Sequence, residues 1–483
     1  MRASPAKACA RLFAAALGSA FPGAAWAHAF GERFDLPAPL GYFVAGAAAT
    51  VGLSFVVAAL FMRGASRVGQ SAGLVVRLGP LLPVMKSASR LLAVVLLGMV
   101  LIAGLVGSRN PETNLAPILV WIIWWVGLSF VAACIGNIWP ALDPWRALFE
   151  TADDLARRLG RANGISLGWH YPPALGVWPA VLLLLLFVWI EVIYPRSALP
   201  RQLASIILAW SSLTLLGMIC FGGKTWRRHA DVFSLYFSTL GRFAPLAAGP
   251  DRTSIVLRPP AVGLIAATTN TFAMVGFVIA MLSTVLFDGL LGTQGMILAR
   301  QWVAASVPGL VDPHGFVLGT GGLVGVWVLF FGAYLLACWF TARLVQNRSA
   351  GAVARLFALT LVPIAIAYNI AHYFSYLVVH GQLLIPLLSD PLGRGWDLLG
   401  TARYYPDIGL IDARFTWYLA ATSIVAGHII SVWLAHRIAL REFGAPGAAV
   451  LASVPLTILM VVYTAVSLAI MAEPLVQFAP AGS

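Results

Sequence analysis

The sequence predicts an all-α, polytopic membrane bundle of about ten transmembrane helices, with two amphipathic helices on the inner leaflet. Three observations predict it. About ten long apolar runs fill the chain. Of all residues, 60% are hydrophobic and only 10% charged. The basic residues, finally, are sorted between alternate connections. A soluble chain of this composition would expose more apolar surface than its polar residues could cover.

The runs lie at approximately 40–62, 91–107, 115–136, 174–194, 203–222, 261–287, 315–341, 356–379, 416–435 and 448–471. Most are long enough to cross ~30 Å of hydrocarbon at ~1.5 Å per residue. Ahead of them, Arg2, Lys7 and Arg11 precede a short apolar stretch from Leu12 to Phe21, followed by Ala25-Trp26-Ala27. This has the form of a cleaved secretory signal, residues 1–27. The expected mature chain is a single integral membrane domain, 28–483, beginning at His28. Cys9 lies in the signal. Cys134, Cys220 and Cys338 fall near the basic ends of spans, as packing residues rather than disulfides.

One set of connections carries 20 basic residues, among them Arg63, Lys86, Arg90, Arg146, Arg157, Lys224, Arg227, Arg258, Arg343, Arg355 and Arg437. The alternate set carries 8: Arg33, Arg109, Arg196, Arg201, Arg300, Arg394, Arg403 and Arg414. Basic residues stay on the cytoplasmic side, so the first set is expected inside, in a bacterial inner membrane, with both mature termini periplasmic. The formal charge of +13 then reflects topology and anionic lipid, not nucleic acid.

Two inner connections are more than turns. Pro144 to Arg161 is amphipathic, with Asp153, Asp154, Arg157 and Arg158 on its polar face. Trp226 to Phe243 places Val232, Leu235, Tyr236, Leu240 and Phe243 near helical spacing. Both are expected to lie on the inner leaflet or to dock a partner. Two outer connections, Asp288 to His314 and His380 to Phe415, are long, and the second is rich in Gly, Pro and Asp. Gly315, Gly319, Gly321 and Gly325 give the seventh run G-x-x-x-G spacings, which predict close helix packing. No internal repeat is evident, which weighs against a transporter built from inverted halves.

Polar side chains inside spans are costly and mark function. The eighth run carries Tyr368, Asn369, His372, Ser375, Tyr376 and His380, mostly at three- or four-residue spacing. The ninth carries Thr422, Ser423, His428 and Ser431 and ends at His436. Glu191 lies near the outer end of the fourth, Asp288 at the outer end of the sixth, and Asn270 deeper in the sixth. His372, His380, Glu191 and Asp288 are therefore the candidate catalytic residues. Asn369, Tyr376, His428 and Asn270 are candidates for contacting substrate. A carboxylate–imidazole site of this kind can hold a divalent metal that activates water. Without metal, a histidine can act as general base. As metal ligands, His372 and His380 cannot chelate one ion from a single helix, being roughly 12 Å apart along its axis. A free amine at His28 would add an alternative copper site, with His314 or His380. No G-x-S-x-G, H-E-x-x-H, Walker or dinucleotide fingerprint is present, and the histidine pairs are too closely spaced for two stacked haems.

The stretch His28 to Phe43, the segment Asn137-Ile138-Trp139-Pro140-Ala141-Leu142-Asp143-Pro144-Trp145, and Ala367 to Trp396 resemble bacterial integral membrane proteins described as fenitrothion hydrolase. The resemblance covers essentially the whole mature chain. It implies hydrolysis of a lipophilic organophosphorus triester at its aryl ester bond, releasing a nitrophenol, with a second membrane subunit as a further implied partner. It assigns no residue roles. Composition equally admits a transporter or metal-handling permease, in which His372 and His428 bind cargo in turn, or a scaffold subunit of a membrane complex.

Overall fold

The computed structural model describes residues 34–62, 73–251, 253–265, 271–310, 312, 314–346 and 348–477. The signal segment, His28 and Asn270 lie outside the described residues. Among the described residues, nine helices are long and apolar enough to cross a membrane. They are span 1 (Leu40–Phe61), span 2 (Leu81–Val106), span 3 (Leu115–Cys134), span 5 (Pro200–Phe221), span 6 (Phe272–Leu291), span 7 (Phe316–Val345), span 8 (Ala350–Ser389), span 9 (Ala413–Phe443) and span 10 (from Pro446). Span 4, Trp178–Ile193, is a shorter apolar helix. The chain is a multi-pass, all-α membrane bundle. Connections bearing the larger basic set define its basic end, and the opposite end is called here the far end.

Spans 1 and 2 are the least enclosed, with 11% and 22% of their apolar windows buried, so their leucines and valines face lipid. Spans 6 and 8 are the most enclosed, at 83% and 78%. Span 8 is not one continuous α-helix. A 3₁₀ turn, Ala358–Leu361, precedes Pro363, whose missing N–H interrupts the ladder. The Ser431 hydroxyl of span 9 donates to the Thr360 carbonyl in that turn. Span 9 approaches closely because it presents Gly427: a Cβ there would lie 2.4 Å from the Ala367 side chain.

The glycine-rich face of span 7 packs less than its spacing suggests. Gly319 lies against Ile193, and a Cβ there would come within 2.9 Å. Gly322 lies against Phe287, but Gly315, Gly321 and Gly325 face open space.

The basic end departs from the sequence reading in one important respect. Helix Pro144–Arg158 forms as expected, N-capped by Asp143, whose Oδ1 accepts from Arg146 N at 2.9 Å. The stretch expected as a second leaflet helix is instead two helices, Gly223–His229 and Val232–Leu240. The second is inserted into the bundle. Val232, Phe233, Tyr236, Phe237, Thr239 and Leu240 are all buried. Its apolar face is covered by rings from the bundle rather than by lipid. Phe233 packs edge-on to Trp124 at 4.7 Å and to Phe187 at 5.2 Å, and Tyr236 lies against Trp125 at 4.8 Å. Each such ring pair contributes ~0.5–1.5 kcal/mol beyond its buried area.

Arg258 closes the other end of this inserted helix. Its Nη2 donates to the carbonyls of Gly241 and Arg242 at 3.0 Å each, and its Nε donates to Ala244 at 3.2 Å. These carbonyls lie in the turn just after Leu240, where backbone acceptors withdrawn from water need such partners. A small sheet holds Arg258 in place: strand Leu74–Arg77 pairs antiparallel with Ser254–Leu257, which pairs antiparallel with Leu246–Ala248. A short parallel pair, Phe34–Asp35 with Val476–Gln477, ties the chain's far-end segments together.

Candidate functional site

The two most enclosed spans supply the centre. His372 Nε2 and Asp288 Oδ2 lie 2.9 Å apart. The Tyr373 hydroxyl donates to the same carboxylate oxygen at 2.8 Å. The side chains of His372 and Asp288 are only 13% and 20% exposed, so the pair is largely withdrawn from its surroundings. Asp288 arrives from the last turn of span 6, and Gly289 beside it leaves room for a neighbour. A Cβ at Gly289 would lie 2.8 Å from the hydroxyl of the buried Tyr368.

Glu191 reaches the same region through a local departure from α-helix. Span 4 ends in a π-helical turn, Trp189–Ile193, and span 3 contains a longer π-helical stretch, Ile118–Gly127. Widened turns break the 3.6-residue period and re-aim side chains, and they recur at functional sites. Here they bring the Trp125 side chain and the Asp288 carboxylate into the surroundings of Glu191. Tyr376 and Tyr373 lie within electrostatic reach of both carboxylates.

The inserted helix adds a residue from the opposite direction. The Tyr236 hydroxyl, fully buried, faces Ser129 of span 3 and Asn369 of span 8, with Glu191 as its charged neighbour. It makes no hydrogen bond of good geometry among the described residues. Ser129 and Asn369 are themselves satisfied by Trp125 O at 2.7 Å and Ala365 O at 2.9 Å. A small cleft runs alongside, lined by Ser129, Cys134, Leu240, Ile366 and Asn369.

Of the sequence candidates, Glu191, Asp288, His372, Asn369 and Tyr376 are therefore brought into one polar cluster. His380 is one step removed, its ring 4.7 Å from that of Tyr376, with Nδ1 buried and unpartnered. His428 is not part of the cluster: it is fully enclosed in span 9, with Nδ1 on the Ile424 carbonyl at 2.8 Å. His436 is likewise buried, 3.5 Å from Ser453 Oγ. Three members were not singled out from the sequence. Tyr373 had a signal, since Asn369, Tyr373, Tyr376 and His380 form their own helical stripe. Trp125 had none, because its position follows from the π-helical turn; Tyr236 was read only as part of an apolar helix face, and its place at the site follows from the inserted helix.

Asp288 and His372 offer two donors to a metal, and these engage each other. Among the described residues no three of His, Cys, Asp and Glu converge as a ligand set. A catalytic zinc takes about three protein ligands, so these residues alone do not fit one, and no step below passes through a metal. What the cluster can do is hold and move protons: a carboxylate fixes an imidazole, and phenols and a second carboxyl group surround the pair.

A second buried acidic site lies at the foot of the inserted helix. Asp143 and Asp231 are 1% and 2% exposed, and each begins a helix. Ser234 Oγ donates to Asp231 Oδ2 at 2.5 Å, leaving Oδ1 unpartnered, as is Asp143 Oδ2. Burial, and then repulsion from Asp231, push the Asp143 carboxyl up to about 7. Burial also raises Asp231. Nearby, Glu150 is held by Arg146 at 2.7 Å, Arg90 at 3.0 Å and Arg227 at 3.2 Å. No protein-family model, no curated protein and no solved structure matches the chain.

Proposed function

We propose that this chain is a membrane-embedded hydrolase of neutral, lipophilic esters, of the organophosphorus triester class that its resemblance to fenitrothion hydrolase implies. The observation that supports this most directly is the His372–Asp288 contact, 2.9 Å long, inside a bundle whose outer surface is apolar. A triester that partitions into lipid would meet that surface. With Nε2 directed at Asp288, the proton sits on Nε2 and Nδ1 is the basic nitrogen. His372 then takes a proton from water as the water oxygen bonds to phosphorus. The P–O bond to the aryl group breaks, and the nitrophenoxide leaves with its electron pair. Asp288 holds the imidazole in one tautomer and stabilises its cation, and Tyr373 fixes Asp288. Asn369 and Tyr376 are the polar groups placed to orient substrate.

The test is nitrophenol release from a thiophosphate triester by protein purified in detergent, with metal analysis of the same sample. Turnover lost in His372→Ala, with insertion and folding intact, is the expected result. No turnover by the wild-type protein removes the hydrolase reading. A transporter or metal-handling permease is the second reading. It is favoured by one observation, that polar side chains continue from Asp288 past Asn369 to Ser129 toward the basic end. Such a protein would move its cargo in vesicles and hydrolyse nothing in detergent. For orientation, the proposal places the basic end in the cytoplasm and the termini in the periplasm of a bacterial inner membrane. Reporter fusions after Arg90, Arg258 and Arg355 should then all read cytoplasmic.

A further inference from the structure

Two far-end connections expose large apolar side chains. The first follows span 6. With only Gly292 and Thr293 between, helix Gln294–Ser306 begins after Leu291, and none of its residues is buried. Leu298, Trp302 and Ala305, at spacings of four and three, share one face and are exposed, Trp302 at 68%. Met296 and Val303 lie on the opposite face and are half-buried. The only charged residue of this helix is Arg300. The second connection, between Ser389 and Ala413, exposes Leu398, Leu399, Tyr405 and Ile408, Tyr405 at 86%. Apolar surface gathered in this way marks a contact with something other than water.

Both connections are fastened to the ends of spans. Glu473, at the end of span 10, accepts from Gln294 N at 2.5 Å, and Thr293 Oγ1 accepts from Met296 N at 3.3 Å. In the second connection, Leu392 O accepts from Ser108 N at 2.7 Å, and Arg394 Nη2 donates to Val106 O at 3.4 Å. Leu398 N donates to Ser389 O at 3.1 Å, and Thr401 Oγ1 donates to Ile385 O at 2.9 Å. The carboxylates serve backbone turns: Asp390 accepts from Arg394 N at 2.9 Å, Asp397 from Ala402 N at 3.0 Å, Asp407 from Gly409 N at 2.9 Å and Asp412 from Phe415 N at 2.6 Å. Arg403 and Arg414 are exposed.

We infer that helix Gln294–Ser306 and the 390–412 connection lie in the headgroup region of the far leaflet, with Trp302, Leu399 and Tyr405 turned into lipid. Three arguments commit this surface to lipid. The first is continuity: the hydrogen bonds above set the leucines of the loop beside Ile385 and Leu388 of span 8, and its start beside Val106 of span 2, all exposed on helices that cross the membrane. The second is placement. One segment is fastened to span 10 and the other to spans 2 and 8, and lipid meets the end of every span, whereas a partner would have to reach both. The third is chemistry. Tryptophan and tyrosine rings bridge the apolar and polar layers of an interface, and exposed arginines meet lipid phosphate. Anchoring also sets a depth. Asp288 precedes Gln294 by six residues, so the His372–Asp288 pair lies within ~9 Å of the headgroup level, on the far side. The inference does not depend on hydrolysis.

The experiment uses the full chain in phosphatidylcholine–phosphatidylglycerol liposomes. Nitroxide labels are attached one at a time to Trp302→Cys, Leu399→Cys and Tyr405→Cys, with Cys9, Cys134, Cys220 and Cys338 replaced by alanine. Collisions with oxygen, which concentrates in lipid, are compared with collisions with a water-soluble nickel chelate. All three labels should meet oxygen more often than nickel, at a depth of ~5–10 Å. A label on Ile102→Cys, exposed on span 2, is the lipid-facing reference. Labels that meet nickel freely lie in water and overturn the inference. Labels shielded from both reagents are covered by a second copy or another protein and overturn it too, as does lipid contact at one segment without the other. Should the cysteine-free chain fail to insert, benzoylphenylalanine at positions 302 and 405 of the otherwise native chain replaces the labels. Lipid adducts must then appear by mass spectrometry, and cross-links to protein, or none, overturn the inference. Nitrophenol release is measured separately, and its absence removes the hydrolase reading while leaving the anchoring in place.

Discussion

Two buried acidic centres lie in this bundle, and they are built differently. In the far half, Asp288 is surrounded by an imidazole and a phenol, groups that exchange protons easily. At the basic end, Glu150 is surrounded by three guanidinium groups, and Asp143 and Asp231 serve as the first residues of helices. Arginine stays charged under all ordinary conditions, so it can fix a carboxylate but cannot relay its proton. Burial alone opposes ionisation of Glu150, yet Arg146, Arg90 and Arg227 together hold its carboxyl below the usual range. The difference teaches how to read a buried carboxylate here. One with titratable partners belongs to chemistry, and one locked by arginines belongs to architecture.

The largest effect that tests this contrast is on activity. His372→Ala should reduce nitrophenol release by at least ~100-fold, the lower end of what a positioned general base contributes. The melting temperature in detergent should change little by comparison. A variant that keeps its activity would move His372 into the architectural class and break the contrast.

Next in size is a loss of stability at the C-terminal end of the inserted helix. Arg258→Ala leaves the carbonyls of Gly241, Arg242 and Ala244 without their guanidinium donor. The expected cost is ~2–4 kcal/mol, taking charged hydrogen bonds at ~1.5–3 kcal/mol each and allowing for partial replacement by water. Arg258→Lys should recover only part of it, because an ammonium cannot span the same three acceptors. Thermal unfolding in detergent checks both, and full stability in Arg258→Ala would mean that ring packing alone holds the inserted helix.

Much of this fold was legible in the sequence, for a simple reason. A span must be long and apolar, and neither property depends on its neighbours. Span boundaries shifted mainly where a helix extends past the apolar run, as at Leu81, ten residues before the run that begins at Leu91 and inclusive of Lys86 and Arg90. The inserted helix was not legible. Its periodic apolar face shows that something covers Val232, Leu235 and Tyr236, but lipid and a ring of tryptophans leave the same pattern. The small sheet was likewise unreadable from short segments such as Leu74–Arg77. At the site, Asp288 and His372 could be singled out separately because intramembrane charge is rare. Their pairing could not, since 84 residues separate them and only the packing of spans 6 and 8 sets the distance.

A smaller effect is a pH dependence confined to the basic end. Asp143 titrates near 7 when folded and at ~3.9 when unfolded. Below pH ~4 both states are protonated and the residue contributes nothing. Between the two values the unfolded chain releases its proton while the folded chain keeps it, so stability falls as pH rises, and above 7 the penalty is complete. Asp143→Asn keeps a side-chain oxygen for the helix N-cap and mimics the protonated acid. It should therefore raise stability at pH 8 by ~1–4 kcal/mol and leave it nearly unchanged at pH 4. Melting curves at the two pH values decide this. A variant less stable at pH 8 would show that the Asp143 charge is compensated by Arg227 and Arg146 and is not a burden.

The smallest expected effect belongs to the histidines of the basic end. His229 is stacked on Tyr171 at 4.9 Å, and its Nδ1 contacts the Thr225 carbonyl at 3.0 Å, a backbone partner in its own helix. His170 is exposed. Among the described residues neither forms an ion pair with a carboxylate, so neither has the orienting group that makes His372 a candidate base. His229→Ala and His170→Ala should each change turnover by less than about twofold, the scale of ordinary surface substitutions at ~0.5 kcal/mol or below. The comparison that matters is between these variants and His372→Ala under one assay. If His229→Ala lost activity and His372→Ala did not, the chemistry would lie at the basic end. The arginine-locked centre would then be the site, and the Asp288–His372 pair would be a packing device.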